Sequence, residues 1–242
     1  MDHATFVDAI RTDGDALGTA ARAAGLDASV PSCDGWNVAD LLSHQGRLHH
    51  WVTGIVKAGG ATPTDHWSKL ETPGPDAIFR WYEQGVGDLA SVLDAAGPDA
   101  PAWSWTGDHR AGMWARRMAH ETSIHRWDAQ LAAGAPQALD HLLAADGVSE
   151  VFDVIAYRRG AERVRGNGET IHLHCTDAEG EWLVRLDPDG VHTTKEHAKG
   201  DVAARGSASD LFLFVWGRIT PDALEVFGDR ALLERWQELA RF

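Results

Sequence analysis

The sequence predicts a two-domain α+β protein, a four-helix bundle followed by a smaller α+β domain. Three observations carry this. Up to about residue 160, apolar residues recur at helical spacing in stretches separated by Gly- and Pro-bearing loops. Beyond "RGNGE" the period changes, and "TIHLHC" alternates as a half-buried strand does. "ASDLFLFVWGR" and "DRALLERWQELARF" then return to helical spacing. The division falls between residues 1–163 and 164–242.

Each element has its own signal. Residues 4–24 carry Phe6, Ile10, Leu17 and Ala21 at helical intervals, and "GLDASVPSCDGW" is a loop. Asn37 caps a second helix, with Asp40 three residues on, and Leu41, His44, Leu48, Trp51 and Ile55 form its inward stripe. Gly59 and Gly60 end it, and a loop runs to about Asp76. A third helix spans Asp76 to about Ala96, with Ile78, Tyr82, Leu89 and Leu93 facing inward. After "GPDAPAWSWTG", Asp108 caps a fourth helix containing "ARRMAHETSIHRWDAQ". A further helical stretch, about 137–160, carries Leu139, Leu142, Leu143, Val151, Phe152 and Ile155. "EWLVRLD" and "VHTT" then form a hairpin about "PDG".

Composition excludes several classes. With 44% hydrophobic and 24% charged residues, the chain can bury a core without disulfide or metal staples. The net charge is −14 and no basic run is interleaved with aromatics, which argues against nucleic acid and anionic membrane as partners. Cys33 and Cys175 are far apart, with no C-x-x-C, so neither a disulfide framework nor a cysteine zinc site is supported. The start lacks the basic and apolar regions of a signal peptide, and "LFLFVW" is too short to span a bilayer. A soluble, cytoplasmic protein is expected. Oligomeric state is not legible.

The chemistry concentrates on the fourth helix. His120-Glu121 opens like the zinc-protease pattern H-E-x-x-H, but the next histidine, His125, is one place late. At about 100° per residue, His120 and His125 lie roughly 140° apart, too far to share an ion. Glu121 and His125 are i and i+4, about 40° apart, on the stripe that carries Trp114 and Met118. A carboxylate and an imidazole facing a core are costly unless paired. His44 repeats the anomaly on the second helix, and metal sites in bundles are built from inward side chains on facing helices. Spacing leaves two readings open: a His₂Glu metal site of His44, Glu121 and His125, or hydrogen-bonded core histidines with an i,i+4 pair. The remaining candidates read as structural. His49 and His50 lie off the stripe, His172 and His174 face outward or line the domain junction, and Cys33 has no electropositive neighbour in sequence. Trp36, Trp51, Trp81 and Trp114 read as core packing before pocket walls.

These segments resemble a known family. "VPSCDGWNVADLLSHQGRLHHWV", "RRMAHETSIHRWDAQ" and "SDLFLFVWGR" are similar to signatures of the mycothiol-dependent maleylpyruvate isomerase family, within the DinB-like four-helix superfamily. The resemblance spans nearly the whole chain. It implies a DinB-like up-and-down bundle, a sterol-carrier-like C-terminal domain, and a divalent metal, usually zinc, on His44, Glu121 and His125. Asp34 departs from the pattern, which has proline before Gly-Trp; Asp can still start a turn. The resemblance further implies mycothiol or a similar low-molecular-weight thiol as cofactor. In that family a thiolate adds to a cis double bond, rotation follows, and elimination leaves the trans product. Arg218, ending "VWGR", is the candidate catalytic residue as an anchor for substrate carboxylates, or else a helix C-terminal cation; Arg47 and Arg80 are weaker candidates. A free thiol has a pKa of about 8.5, and coordination deprotonates it. The partners implied are a small thiol and a small electrophile, in an isomerase or S-transferase. A non-catalytic ligand-binding protein and a metal-assisted hydrolase are the alternatives.

Overall fold

The computed structural model of the chain describes residues 1–155 and 164–239. It forms two compact units, Met1–Gln137 and Ala138–Phe242.

The first unit is the four-helix bundle, of α1 (His3–Ala24), α2 (Val38–Lys57), α3 (Pro75–Ala96) and α4 (Ala111–Ala132). α1 packs along α4 and against α3, and α2 packs along α3. The stripes predicted for α1 and α3 are the ones buried: Ile10, Leu17, Tyr82, Leu89 and Leu93 are fully enclosed. Asn37 caps α2 in a reciprocal box with Asp40. The cap predicted for α4 is not used. α4 starts after Arg110, and Asp108 instead binds the Arg110 guanidinium at 2.8 Å. The first N–H groups of α4 reach back to the carbonyls of Ala100 and Pro98, both at 2.9 Å, so the preceding loop caps the helix through its backbone. The loop between α2 and α3 carries a short 3-10 turn, Trp67–Lys69, packed on α2.

Two features position the polar residues of the bundle. Gly46 lets α2 and α3 approach, since a methyl group there would fall inside the ring of Trp81. α4 is buried on every face from Arg117 to Ala129, although Arg117, His120, Glu121, His125, Arg126 and Asp128 all lie in that stretch. A polar helix so enclosed must pair its charges internally.

The second unit is built on a five-stranded sheet of order β3-β2-β1-β4-β5, with β1 (Glu169–Cys175), β2 (Glu181–Asp187), β3 (Gly190–Thr194), β4 (Val202–Gly206) and β5 (Glu225–Gly228). β1 and β4 are parallel, and the other neighbours are antiparallel. The predicted strand and hairpin are β1, β2 and β3. β4 and β5 carry weak sequence signals: β4 reads "VAARG" and β5 is a four-residue edge strand, mostly exposed. Ile171, Leu173 and Val184 pack with Phe152, Phe214 and Trp236 to make the core of this unit.

Three helices complete it: α5 (His141–Ile155), α6 (Ala208–Val215) and α7 (Arg230–Leu239). The sequence places α5 in the first domain, but α5 packs on α6 and belongs to the second unit. Asp140 caps α5, accepting from Leu143 N at 2.9 Å, so the helix begins later than residue 137. Leu142 is exposed, while Leu143 and Val151 are buried. The predicted end of that helix near 160 and the predicted division at 163/164 touch residues outside those described. Among the described residues, no helix is long and apolar enough to cross a membrane.

Candidate metal centre

The centre is assembled by α2 and α4. Gln45 donates from Nε2 to the Glu121 carbonyl at 2.9 Å, and His49 Nε2 meets Thr122 Oγ1 at 3.1 Å. These bonds set the register between the helices and bring His44 opposite Glu121. His44 Nε2 is 3.2 Å from Glu121 Oε1, and His125 Nε2 is 3.4 Å from that same oxygen. Two donors each about 2.05 Å from a zinc ion at the tetrahedral angle lie about 3.3 Å apart, so these separations are edges a tetrahedral ion would span. The donor set fits a divalent metal, and three protein donors leave one position for an exogenous ligand, as in catalytic sites.

The other histidines of the two helices stand apart from this cluster. His120 is on another face, fully buried and edge-on to Phe6 of α1 at 5.8 Å between ring centres. His49, off the predicted inward stripe, is nonetheless fully buried and hydrogen-bonded to Thr122. His50 bonds the Trp81 carbonyl at 3.1 Å.

Asp128, Ser32 and Trp67, which the sequence did not single out, surround the cluster together with Cys33 and Trp36. Asp128 Oδ2 accepts from His125 Nδ1 at 2.8 Å, which orients the ring with Nε2 toward Glu121. Asp128 is held in turn by Ser32 Oγ at 2.6 Å and touched by Cys33 Sγ at 3.5 Å. Ser32 and Cys33 stand in the turn 30–36, closed by Val30 N to Trp36 O at 2.9 Å and by Gly35 at φ 78°, a left-handed value suited to glycine. Asp34 is exposed there, so its departure from proline disturbs no packing. Trp36 closes the turn, 5.0 Å from the His44 ring and 6.1 Å from that of His125. Trp67, from the 3-10 turn, stands edge-on to His44 at 5.1 Å.

Arg117, one turn before Glu121, pairs with Oε2 of that carboxylate. Burial alone would raise the pKa of Glu121. Arg117 and the hydrogen bonds from His125 and His44 outweigh it and hold the carboxyl well below its ordinary value. Burial alone would lower the pKa of His125, but its bonds to Asp128, Cys33 and Glu121 raise it well above the usual imidazole range. Arg117-Glu121-His125 is therefore a ladder at i, i+4, i+8, and the arithmetic that selected the last two also reaches the first. Asp128 was legible as the i+3 neighbour of His125; Trp67 and Ser32 had no such signal.

The other predicted residues are not part of this cluster. Arg80 is exposed and Arg47 half-buried. Trp51 packs edge-on to Trp114 at 5.7 Å, and Trp81 lies tilted against His50 at 4.8 Å. Arg218 lies in the second unit, just past α6, where Nη1 donates to the Trp216 carbonyl at 3.0 Å.

Residues 7–130 match the model of the mycothiol maleylpyruvate isomerase N-terminal domain, and residues 143–235 match that family's C-terminal domain. Among solved structures, the chain is similar to a mycothiol-dependent maleylpyruvate isomerase, with a TM-score of 0.62 at 14% identity over 93% of both chains. A histidine-to-alanine variant of such an enzyme matches at 0.61, with the same identity and coverage. No curated protein matches the chain. With both halves matched in sequence and the fold shared along nearly its whole length, the chain belongs to the mycothiol maleylpyruvate isomerase family.

Proposed function

We propose that this protein is a thiol-dependent cis–trans isomerase, or a related thiol S-transferase, that holds a divalent ion on His44, Glu121 and His125. The observation that carries the reading is the convergence of three buried or half-buried donors on 3.2 and 3.4 Å edges, in a chain of this family. Bound there, such an ion would ionise a coordinated thiol at neutral pH and supply a thiolate nucleophile. Zinc is the first choice, since two imidazoles and a carboxylate with an open position suit it.

The protein's own groups have separable tasks. Asp128 keeps the proton of His125 on Nδ1, and Arg117 keeps Glu121 ionised as an acceptor-only ligand. Trp36 and Trp67 cover the imidazoles with apolar surface, which limits water near the ligands. Arg218 is the proposed anchor for a substrate carboxylate, a role that rests on the family's closing motif. The substrate class is a small unsaturated electrophile bearing carboxylate, of the maleylpyruvate type.

The test is metal content by elemental mass spectrometry beside turnover of a maleylpyruvate-type substrate with mycothiol. His44→Ala should lose about one ion per chain relative to the parent and lose turnover with it. Thiol recovered unchanged identifies an isomerase, and thiol consumed one for one identifies a transferase. Turnover that needs no thiol, or that survives loss of the ion, would overturn the reading.

A further inference from the structure

A second cluster of metal-ligating side chains lies in the other unit. His172 and His174 are two apart on β1, and so project from one face of the sheet, opposite to Ile171 and Leu173 in the apolar core. Glu181 begins β2 directly across from His174 in the antiparallel register. His197 comes from the connection between β3 and β4. Glu181 joins all three: Oε1 is 2.8 Å from His174 Nδ1, while Oε2 is 2.7 Å from His197 Nδ1 and 3.5 Å from His172 Nε2. One nitrogen from each imidazole and one carboxylate oxygen lie within 4.8 Å of one another.

Packing alone does not explain this arrangement. The three rings meet at 68°, 89° and 80°, edge to face, with their centres 5.5 to 6.4 Å apart. His172 is only 6% exposed, and its buried Nε2 faces the cluster with no well-aligned hydrogen bond, its one contact there being Glu181 Oε2 at 3.5 Å. A buried polar nitrogen left in that state is a position where an ion or water is expected.

We propose that His172, His174, Glu181 and His197 form a second divalent-metal site, structural in kind and independent of the His44–Glu121–His125 set. All four donors come from the protein, which describes a closed, four-coordinate site with no catalytic position. Imidazole and carboxylate select zinc or a neighbouring transition ion over calcium or magnesium. Entry of the ion would displace to solvent the protons now shared between Glu181 and its two nearest histidines. The ion would tie the β3–β4 connection, through the otherwise exposed His197, to β1 and β2.

The experiment strips the full-length protein with chelator, reloads it with zinc, dialyses it, and counts ions by elemental mass spectrometry. The parent should hold about two per chain. His44→Ala/His125→Ala should retain about one, and His174→Ala/His197→Ala should also retain about one. Combining the four substitutions should leave none. His197→Ala, at an exposed position whose loss leaves the core intact, should weaken zinc at the second site at least about tenfold in chelator competition, since even outer-sphere partners are worth that much. A parent with one ion, lost in His174→Ala/His197→Ala and kept in His44→Ala/His125→Ala, would sink the first site and leave this one standing. The proposal is overturned if His44→Ala/His125→Ala holds no zinc, or if the parent and His174→Ala/His197→Ala hold equal amounts.

Discussion

Asp128 supports the proposed metal centre through His125 without being one of its candidate donors. It is fully buried, it fixes the tautomer of His125, and Ser32 fixes it in turn. Asp128→Asn keeps the shape but removes the charge that orients and polarises the imidazole. Zinc affinity at the first centre should fall about 10- to 100-fold, measured by competition with a chromophoric chelator, while far-UV circular dichroism is unchanged. An unaltered affinity would reduce Asp128 to a packing role. His49 makes a separate prediction. Burial, with neighbouring His50, pushes its pKa down to about 3, so the native state keeps it neutral while the unfolded chain protonates near pH 6.5. The unfolded state binds more protons between those values, so stability falls on acidification through that window, by about 1.4 kcal/mol per pH unit for this one group. The raised His125 adds no slope below pH 6.5, where it is charged in both states, and the lowered Glu121 adds its own only below about pH 4.5. Urea unfolding of chelated protein between pH 5 and 6 should therefore show a shallower pH slope in His49→Asn than in the parent.

At the scale of elements, the centre depends on how closely α2 approaches its neighbours. α2 meets α4 through the polar seam of His44, Gln45 and His49, and it meets α3 where Trp81 lies against Gly46. Gly46→Ala overpacks that contact. α2 or Trp81 must shift, and a cost of about 1–3 kcal/mol is expected in urea unfolding. Because His44 stands two residues earlier on the same helix, the variant should also bind zinc more weakly at the first centre. Equal stability and metal content would show that Trp81 moves aside freely. The turn 30–36 is a third element of the centre, since it delivers Ser32 to Asp128 and Trp36 to the imidazoles. Its Cys-x-Gly-Trp motif thus has a structural task, with Cys33 against Asp128 and Trp36 against His44 and His125, and no role as nucleophile is required of Cys33.

Across the whole molecule, the chemistry divides between two units. The candidate donors His44, Glu121 and His125 belong to Met1–Gln137, while Arg218 and the second histidine cluster belong to Ala138–Phe242. If Arg218 anchors a substrate carboxylate, Arg218→Ala should raise KM about 10- to 100-fold, the worth of a charged hydrogen bond, with metal content unchanged. Arg218→Lys should recover part of the loss, because the charge returns without the planar fork. A change in kcat alone, or in metal content, would contradict that role. With a net charge of −14, the molecule as a whole repels anions, so a local cation has more to do in binding a dicarboxylate.

What the sequence by itself determined was whatever depends on local periodicity. Helical spacing and the Asn37 cap located α1, α2 and α3, the alternation of "TIHLHC" located β1, and the i,i+4 rule put Glu121 and His125 together. Tertiary structure decided the rest, because it turns on contacts between distant residues. α4 is enclosed on every face from Arg117 to Ala129, so its stripe alone could not say what each polar residue meets; the packing brought Glu121 to His44 of α2 and His120 to Phe6 of α1. α5 joined the second unit because its partner, α6, lies more than fifty residues later in the chain. β4 and β5 exist through pairing that their own residues barely signal. His172 and His174 gained meaning only when the register of β2 set Glu181 beside them and the β3–β4 connection brought His197 to the same place.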